Sequence, residues 1–197
     1  MPTAKNSSLH KLLLIILFLS VQINLFSQVN HEDSINYFQH VEWNNSFELK
    51  IKGETPTDFI LKNKNGSKFT NDSLDSKITF VDFWFKSCLP CFAEFEALEK
   101  LYIKNKPNKD FQFISITFDP DSVIERMRKE HSLTYPIYHL SQDSCNKLHF
   151  NTGYPTCWIV NKNREIVYYS FGGSTDPLEA DKFLNYFIQA ELDKLLK

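Results

Sequence analysis

Asp82-Phe83-Trp84-Phe85-Lys86-Ser87-Cys88-Leu89-Pro90-Cys91 sets two cysteines three residues apart, between an apolar run and a helical pattern. Ile78 to Phe85 is almost continuously apolar and aromatic, which predicts a strand buried on both faces of a parallel sheet. Phe92, Phe95, Leu98, Leu101 and Tyr102 recur at helical spacing, so a helix is expected from Pro90 to about Lys104, ending near Pro107. Pro90 suits the first helical turn, whose backbone N–H groups have no partner within the helix. A dithiol at a strand-to-helix turn is the layout of a thiol–disulfide redox site. The helix N-terminus lowers the pKa of the first thiol, and the thiolate is the nucleophile. Cys88 is therefore the expected nucleophile and Cys91 the resolving thiol.

The pattern on either side predicts alternating strands and helices. Phe111 to Phe118 is rich in β-branched and aromatic residues and reads as a strand. Asp119-Pro120-Asp121 is expected to cap a helix from Ser122 to about His131. A short extended piece at Tyr135 to Leu140 and a helix from Gln142 to Phe150 follow. Cys157 to Asn161 and Glu165 to Ser170 read as strands joined through Lys162-Asn163-Arg164. Asp176 and Pro177 then open a C-terminal helix with an apolar face of Leu178, Phe183, Leu184, Phe187, Ile188, Leu192 and Leu195. Upstream, Phe59 to Leu61 and Lys68 to Thr70 flank an Asn65-Gly66 turn and predict a hairpin. Phe47, Leu49 and Ile51 alternate with charged residues over Ser46 to Lys52, which predicts a half-buried strand. The whole implies a three-layer α/β sandwich around a mixed sheet.

With 197 residues, one domain with an extension is expected; 42% hydrophobic residues, including 18 Phe, supply a core. A formal net charge of −2 and scattered Lys and Arg argue against nucleic-acid binding. In residues 1–27, Lys5, His10 and Lys11 precede an apolar core from Leu12 to Leu19, and Ser27 offers a cleavage point; this reads as a secretory signal. The rival is an uncleaved anchor, but a span needs about 20 apolar residues, and Ser20, Gln22 and Asn24 interrupt this one. Residues 28–52 form an N-terminal extension with no clear period, apart from the alternation at its end, and residues 53–197 the main domain. All four cysteines (Cys88, Cys91, Cys145 and Cys157) lie beyond the signal, and an export signal permits disulfides.

Val81-Asp82-Phe83-Trp84 followed by Cys88-Leu89-Pro90-Cys91 resembles thioredoxin, and the longer arrangement resembles exported thioredoxin-like reductases of the TlpA/ResA type. Gly53 to Leu74 resembles that family's opening hairpin, Cys88 to Phe95 its active-site helix, Gly153-Tyr154-Pro155-Thr156 its cis-proline loop, and Asn161 to Arg164 the hairpin that follows. Ser87 replaces the family's usual Trp, Glu96 replaces a frequent Pro, and residues 28–52 have no counterpart. The resemblance implies a thioredoxin-like three-layer sandwich with an N-terminal β-hairpin extension, in a protein at the periplasmic or outer face of the inner membrane. It implies that Asp82 accepts the proton of Cys91, that Glu94 tunes the thiols, and that Trp84, Tyr154 and Pro155 meet substrate. Protein or peptide disulfides are the implied substrates and a membrane-linked protein the implied electron donor, acting on a monomer without a cofactor.

Cys145 and Cys157 read either as a second, structural disulfide or as two buried thiols. No metal site is expected, because zinc wants four ligands and there is no second CxxC. His131, His139 and His149 lack ligand-like spacing. Two other functions fit the same fold: a thiol peroxidase, whose motif wants a Pro upstream that Phe83 to Ser87 does not supply, and a non-catalytic metal- or peptide-binding module.

Overall fold

The computed structural model describes residues 46, 48, 50–62, 66 and 68–197; the expected signal over residues 1–27, most of the expected 28–52 extension and the Asn65 side of the expected hairpin turn lie outside the described residues. A seven-stranded sheet runs in the order β2-β1-β5-β4-β3-β6-β7. The strands are β1 (Ile60–Lys62), β2 (Lys68–Thr70), β3 (Ile78–Trp84), β4 (Phe111–Thr117), β5 (Ile137–His139), β6 (Thr156–Val160) and β7 (Ile166–Phe171). β3, β4 and β5 are parallel, while β6, β7 and the β1–β2 hairpin are antiparallel. The sheet is mixed, as the sequence pattern predicts.

All seven residues of β3 are buried, so this strand is central and its two faces feed two different layers. Ile78, Phe80 and Trp84 join Phe113 of β4 and Ile159 of β6 beneath α1 (Leu89–Asn105), α2 (Asp121–His131) and the C-terminal helix. Val81 and Phe83 face the other way, with Ile114, Ile116, Trp158 and Val160, and meet α3 (Gln142–Leu148) and Ile51. The alternation follows from the period-2 geometry of a strand. It also decides which residues lie near the dithiol, because α1 covers only the first of these faces.

Three local expectations are corrected. Over Ser46 to Lys52 the described residues through Ile51 are helical, with the Lys52 N–H donating to the Glu48 carbonyl at 2.8 Å. That turn buries Ile51. Second, α3 stops at Leu148, because Phe150 and Asn151 take positive φ (59° and 58°) and turn the chain back. Third, the C-terminal helix, α4, runs as Pro177–Lys182, a wider π-helical turn Phe183–Ile188, and Gln189–Leu195. That turn changes which side chains share a face. Leu184, Ile188 and Leu192 are buried, whereas Leu178 and Phe187 are exposed. Asn105 at the end of α1 and Gln189 of α4 exchange two buried amide hydrogen bonds, at 2.8 and 3.0 Å, which locks the two helices in register.

Candidate active site

β3 ends at Trp84 and α1 begins at Leu89, with Cys88 in the N-cap position. The Cys88 sulfur accepts the Cys91 backbone N–H at 3.2 Å. Cys88 and Cys91 are joined as a disulfide with their Cα atoms 5.3 Å apart. After reduction the same N–H and the helix dipole act on a Cys88 thiolate, which is the physical route to a lowered thiol pKa. Both residues are buried in the disulfide form, Cys88 at 4% exposure and Cys91 at 1%.

The loop that carries Cys88 is tethered from beneath by a residue that the motif reading missed. Asp119 does not cap α2, whose N-cap is Pro120 with no side-chain hydrogen bond. Its buried carboxylate instead accepts the Lys86 N–H at 2.5 Å, and Thr117 Oγ1 lies 3.3 Å from the same oxygen. Asp-Pro after a strand gives the same signal for a cap and for a tether, and only the neighbouring loop distinguishes them. Phe85 stacks on Phe118 at 5.4 Å, and Tyr154 meets both edge-on. These aromatic contacts bring the Gly153-Tyr154-Pro155 segment up to the dithiol loop. The Tyr154–Pro155 peptide is cis.

Asp82, Ser115 and Cys157 form a row across β3, β4 and β6, since Asp82 registers with both of the others. All three side chains are buried, and the row lies on the face that α1 covers. The Ser115 hydroxyl donates to Asp82 Oδ2 at 2.8 Å. Burial outweighs that bond and pushes the Asp82 carboxyl up to about 7. Glu94, one turn beyond Cys91, is 5% exposed; burial and the neighbouring Asp82 hold its carboxyl well above the usual range. The Cys157 thiol is raised well above its ordinary value, first by burial and then by Glu94 and Asp82. Two proton-holding carboxyls thus lie in the layer under the disulfide, where an ionised carboxylate is costly.

Three of the predicted site residues do not have the expected surroundings. Trp84 is fully buried and packs edge-on against Phe95 at 5.2 Å, so it is a core side chain and not a substrate contact. Strand alternation turns it inward beneath α1, together with Asp82. Cys145 and Cys157 are both free thiols, which corrects the second-disulfide reading. Cys157 lies on the α1 face and Cys145 on the α3 face, so the central sheet separates them.

His149, just after α3, is 1% exposed between Phe83 (5.4 Å) and Tyr154 (4.7 Å), and neither ring nitrogen has a hydrogen-bond partner. Burial lowers its pKa, so the folded protein takes up this proton later than the unfolded chain does. Stability is then lost as pH falls through about 6.5, at up to ~1.4 kcal/mol per pH unit. Urea unfolding of His149→Phe against wild type at pH 7.5 and 5 is expected to show a smaller acid-induced loss in the variant. An equal loss in both proteins would remove His149 as the cause.

Among solved structures, the fold is similar to that of a putative thiol:disulfide interchange protein DsbE from Chlorobium tepidum (TM-score 0.63, 18% identity), covering 74% of this chain and 98% of that one. It is also similar to a putative protein disulfide isomerase from Bacteroides thetaiotaomicron (TM-score 0.63, 23% identity), covering 74% and 89%. By sequence, the chain is 27% identical over 131 residues to the thiol-disulfide oxidoreductase ResA of Halalkalibacterium halodurans, covering 66% of this chain and 74% of that protein. It is 28% identical over 116 residues to the ResA of Geobacillus kaustophilus, covering 58% and 66%. A match over residues 52–169, more than half of the chain, makes it a member of the AhpC/TSA family, and its relatives and its dithiol place it among the thiol–disulfide oxidoreductases of the TlpA/ResA type.

Proposed function

We propose that this protein is an exported reductase of protein disulfides, with Cys88 as nucleophile, Cys91 as resolving thiol, and Asp82 and Glu94 as the groups that hold and pass protons beneath them. The observation that carries the reading is the Cys88–Cys91 pair at the start of α1, above two buried carboxyls whose hold on their protons burial strengthens. The Cys88 thiolate attacks one sulfur of a substrate disulfide; a mixed disulfide forms and the first substrate thiolate leaves. Cys91 gives its proton to Asp82, whose carboxyl, pushed up to about 7, is ionised in a share of the molecules at neutral pH, and attacks the Cys88 sulfur. The mixed disulfide breaks, the second substrate thiolate leaves, and Cys88–Cys91 closes. Two electrons pass to the substrate, whose two thiolates take up protons.

Tyr154 and Pro155 stand beside the dithiol loop, and an extended substrate segment would lie along their backbone, as in strand-addition recognition. Export rests on the apolar run of residues 12–19, which lies outside the described residues. Among the described residues no helix is long and apolar enough to cross a membrane. Residues 1–27 would be the signal or anchor, 28–52 an extension and 53–197 the catalytic domain, working as a monomer at the periplasmic or outer face of the inner membrane. A membrane-linked donor would return the electrons. The relatives' names favour dithiol exchange over peroxide chemistry.

The direction of electron flow is tested by the reduction potential of the Cys88–Cys91 pair, measured by equilibration with glutathione. A value near −270 mV, roughly that of thioredoxin, is expected. A value near about −120 mV, that of a strong oxidant, would reverse the assignment.

A further inference from the structure

We infer that Gly173 is a positioning residue for the redox site: having no side chain, it lets the turn after β7 close on the Glu94 carboxyl and the Pro155 ring at once. The turn is anchored there by the β6–β7 ladder, which pairs Thr156 with Phe171, and by the Gly172 N–H donating to the Pro155 carbonyl at 2.8 Å. A Cβ on Gly173 would stand 2.8 Å from Glu94 Oε1, 2.9 Å from Pro155 Cγ and 3.5 Å from Pro155 Cδ. The first two separations are closer than Cβ atoms in proteins tolerate. Gly172 differs from its neighbour, because its φ of 76° demands glycine for the backbone itself. Gly173 has no such φ, so alanine fits its backbone and only the space beyond Cα excludes a side chain.

Of the two groups in contact, the proline ring is stiff and held at the start of β6, while the Glu94 carboxyl is the end of a flexible side chain. An added methyl therefore moves Glu94. Glu94 is buried whereas Gly173 is exposed, so this glycine is the wall between Oε1 and solvent. The groups that share the Glu94 environment are Asp82 of β3, Cys157 of β6, Tyr135 before β5 and, on its own helix, Cys91. Gly172-Gly173-Ser174 adds no charge. A methyl on that wall pushes the carboxyl away from solvent and deeper toward Asp82, so it holds its proton to higher pH.

The inference rests on the proton-handling reading of Glu94, and the test separates the two. Pre-reduced wild type, Gly173→Ala, Glu94→Ala and the double variant are compared for single-turnover reduction of insulin from pH 5 to 9. Gly173→Ala is expected to move the midpoint of the pH profile up by about half a unit or more. Adding Gly173→Ala to Glu94→Ala should leave the midpoint unmoved. A profile shifted by Glu94→Ala but not by Gly173→Ala overturns the role of Gly173 alone. Profiles unmoved by either substitution overturn both readings. An equal slowing by Gly173→Ala in both backgrounds, with the midpoint fixed, assigns the effect to Pro155 and overturns the inference. If Gly173→Ala does not fold, recovery of folding in the double variant supports the contact with Glu94, and failure to recover overturns it.

Discussion

Serine at position 88 is expected to abolish insulin reduction, lowering the rate by roughly three orders of magnitude or more, because the attacking sulfur is gone. Serine at position 91 is expected to give a different result. Cys88 still attacks, but nothing resolves the mixed disulfide, so substrate remains covalently attached to the protein and is released by added dithiol. Non-reducing gels and intact-mass measurement distinguish the two. The asymmetry follows from position: Cys88 is the N-cap whose sulfur receives a helix N–H, while Cys91 lies one turn in, closer to full burial. Adduct accumulation on Cys91 in the Cys88→Ser protein, rather than on Cys88 in the Cys91→Ser protein, would reverse the roles.

Asp82→Asn is expected to make the protein more stable and less active. The Asp82 carboxyl rises to about 7 in the folded state, mainly through burial, against about 3.9 in an unfolded chain. The unfolded chain therefore releases this proton first, and folding becomes less favourable as pH rises from about 4 to 7. The full cost is on the order of 4 kcal/mol above that window. Asparagine keeps an oxygen for the Ser115 hydroxyl and carries no proton to lose. Chemical denaturation at pH 8 is expected to show the variant more stable by up to that amount, with the difference closing toward pH 4. Activity is expected to fall by roughly 10- to 100-fold, since the resolving thiol loses a proton acceptor. A variant less stable than wild type at pH 8 would mean that Asp82 is not the strained acid described above.

Much of this site was legible before the fold was known. Cys88-Leu89-Pro90-Cys91 between a buried strand and a helix announces its chemistry, because the spacing and the helix start are local properties. Asp82 stood out as a charged residue on an otherwise apolar strand. The misreadings have the opposite character. Trp84 falls next to the motif yet points into the core, and Asp119 looks like a cap yet holds the Lys86 backbone. Cys145 and Cys157 are near in sequence and lie on opposite faces of a sheet. Each depends on which way a side chain points, and pattern alone does not supply that.

By itself the sequence determined the strand–dithiol–helix unit, the order of most elements and the mixed character of the sheet, since period, turn residues and helix signals are carried by neighbours in the chain. Only the tertiary structure decided what surrounds the dithiol. β6 brings Cys157 and Pro155 to the edge of β3, α1 lowers Glu94 into the layer that holds Asp82, and the turn after β7 sets Gly173 against both Glu94 and Pro155. These contacts join residues as much as 79 positions apart, from Glu94 to Gly173. The burial they create, not the residue types alone, lifts the two carboxyls out of their ordinary range.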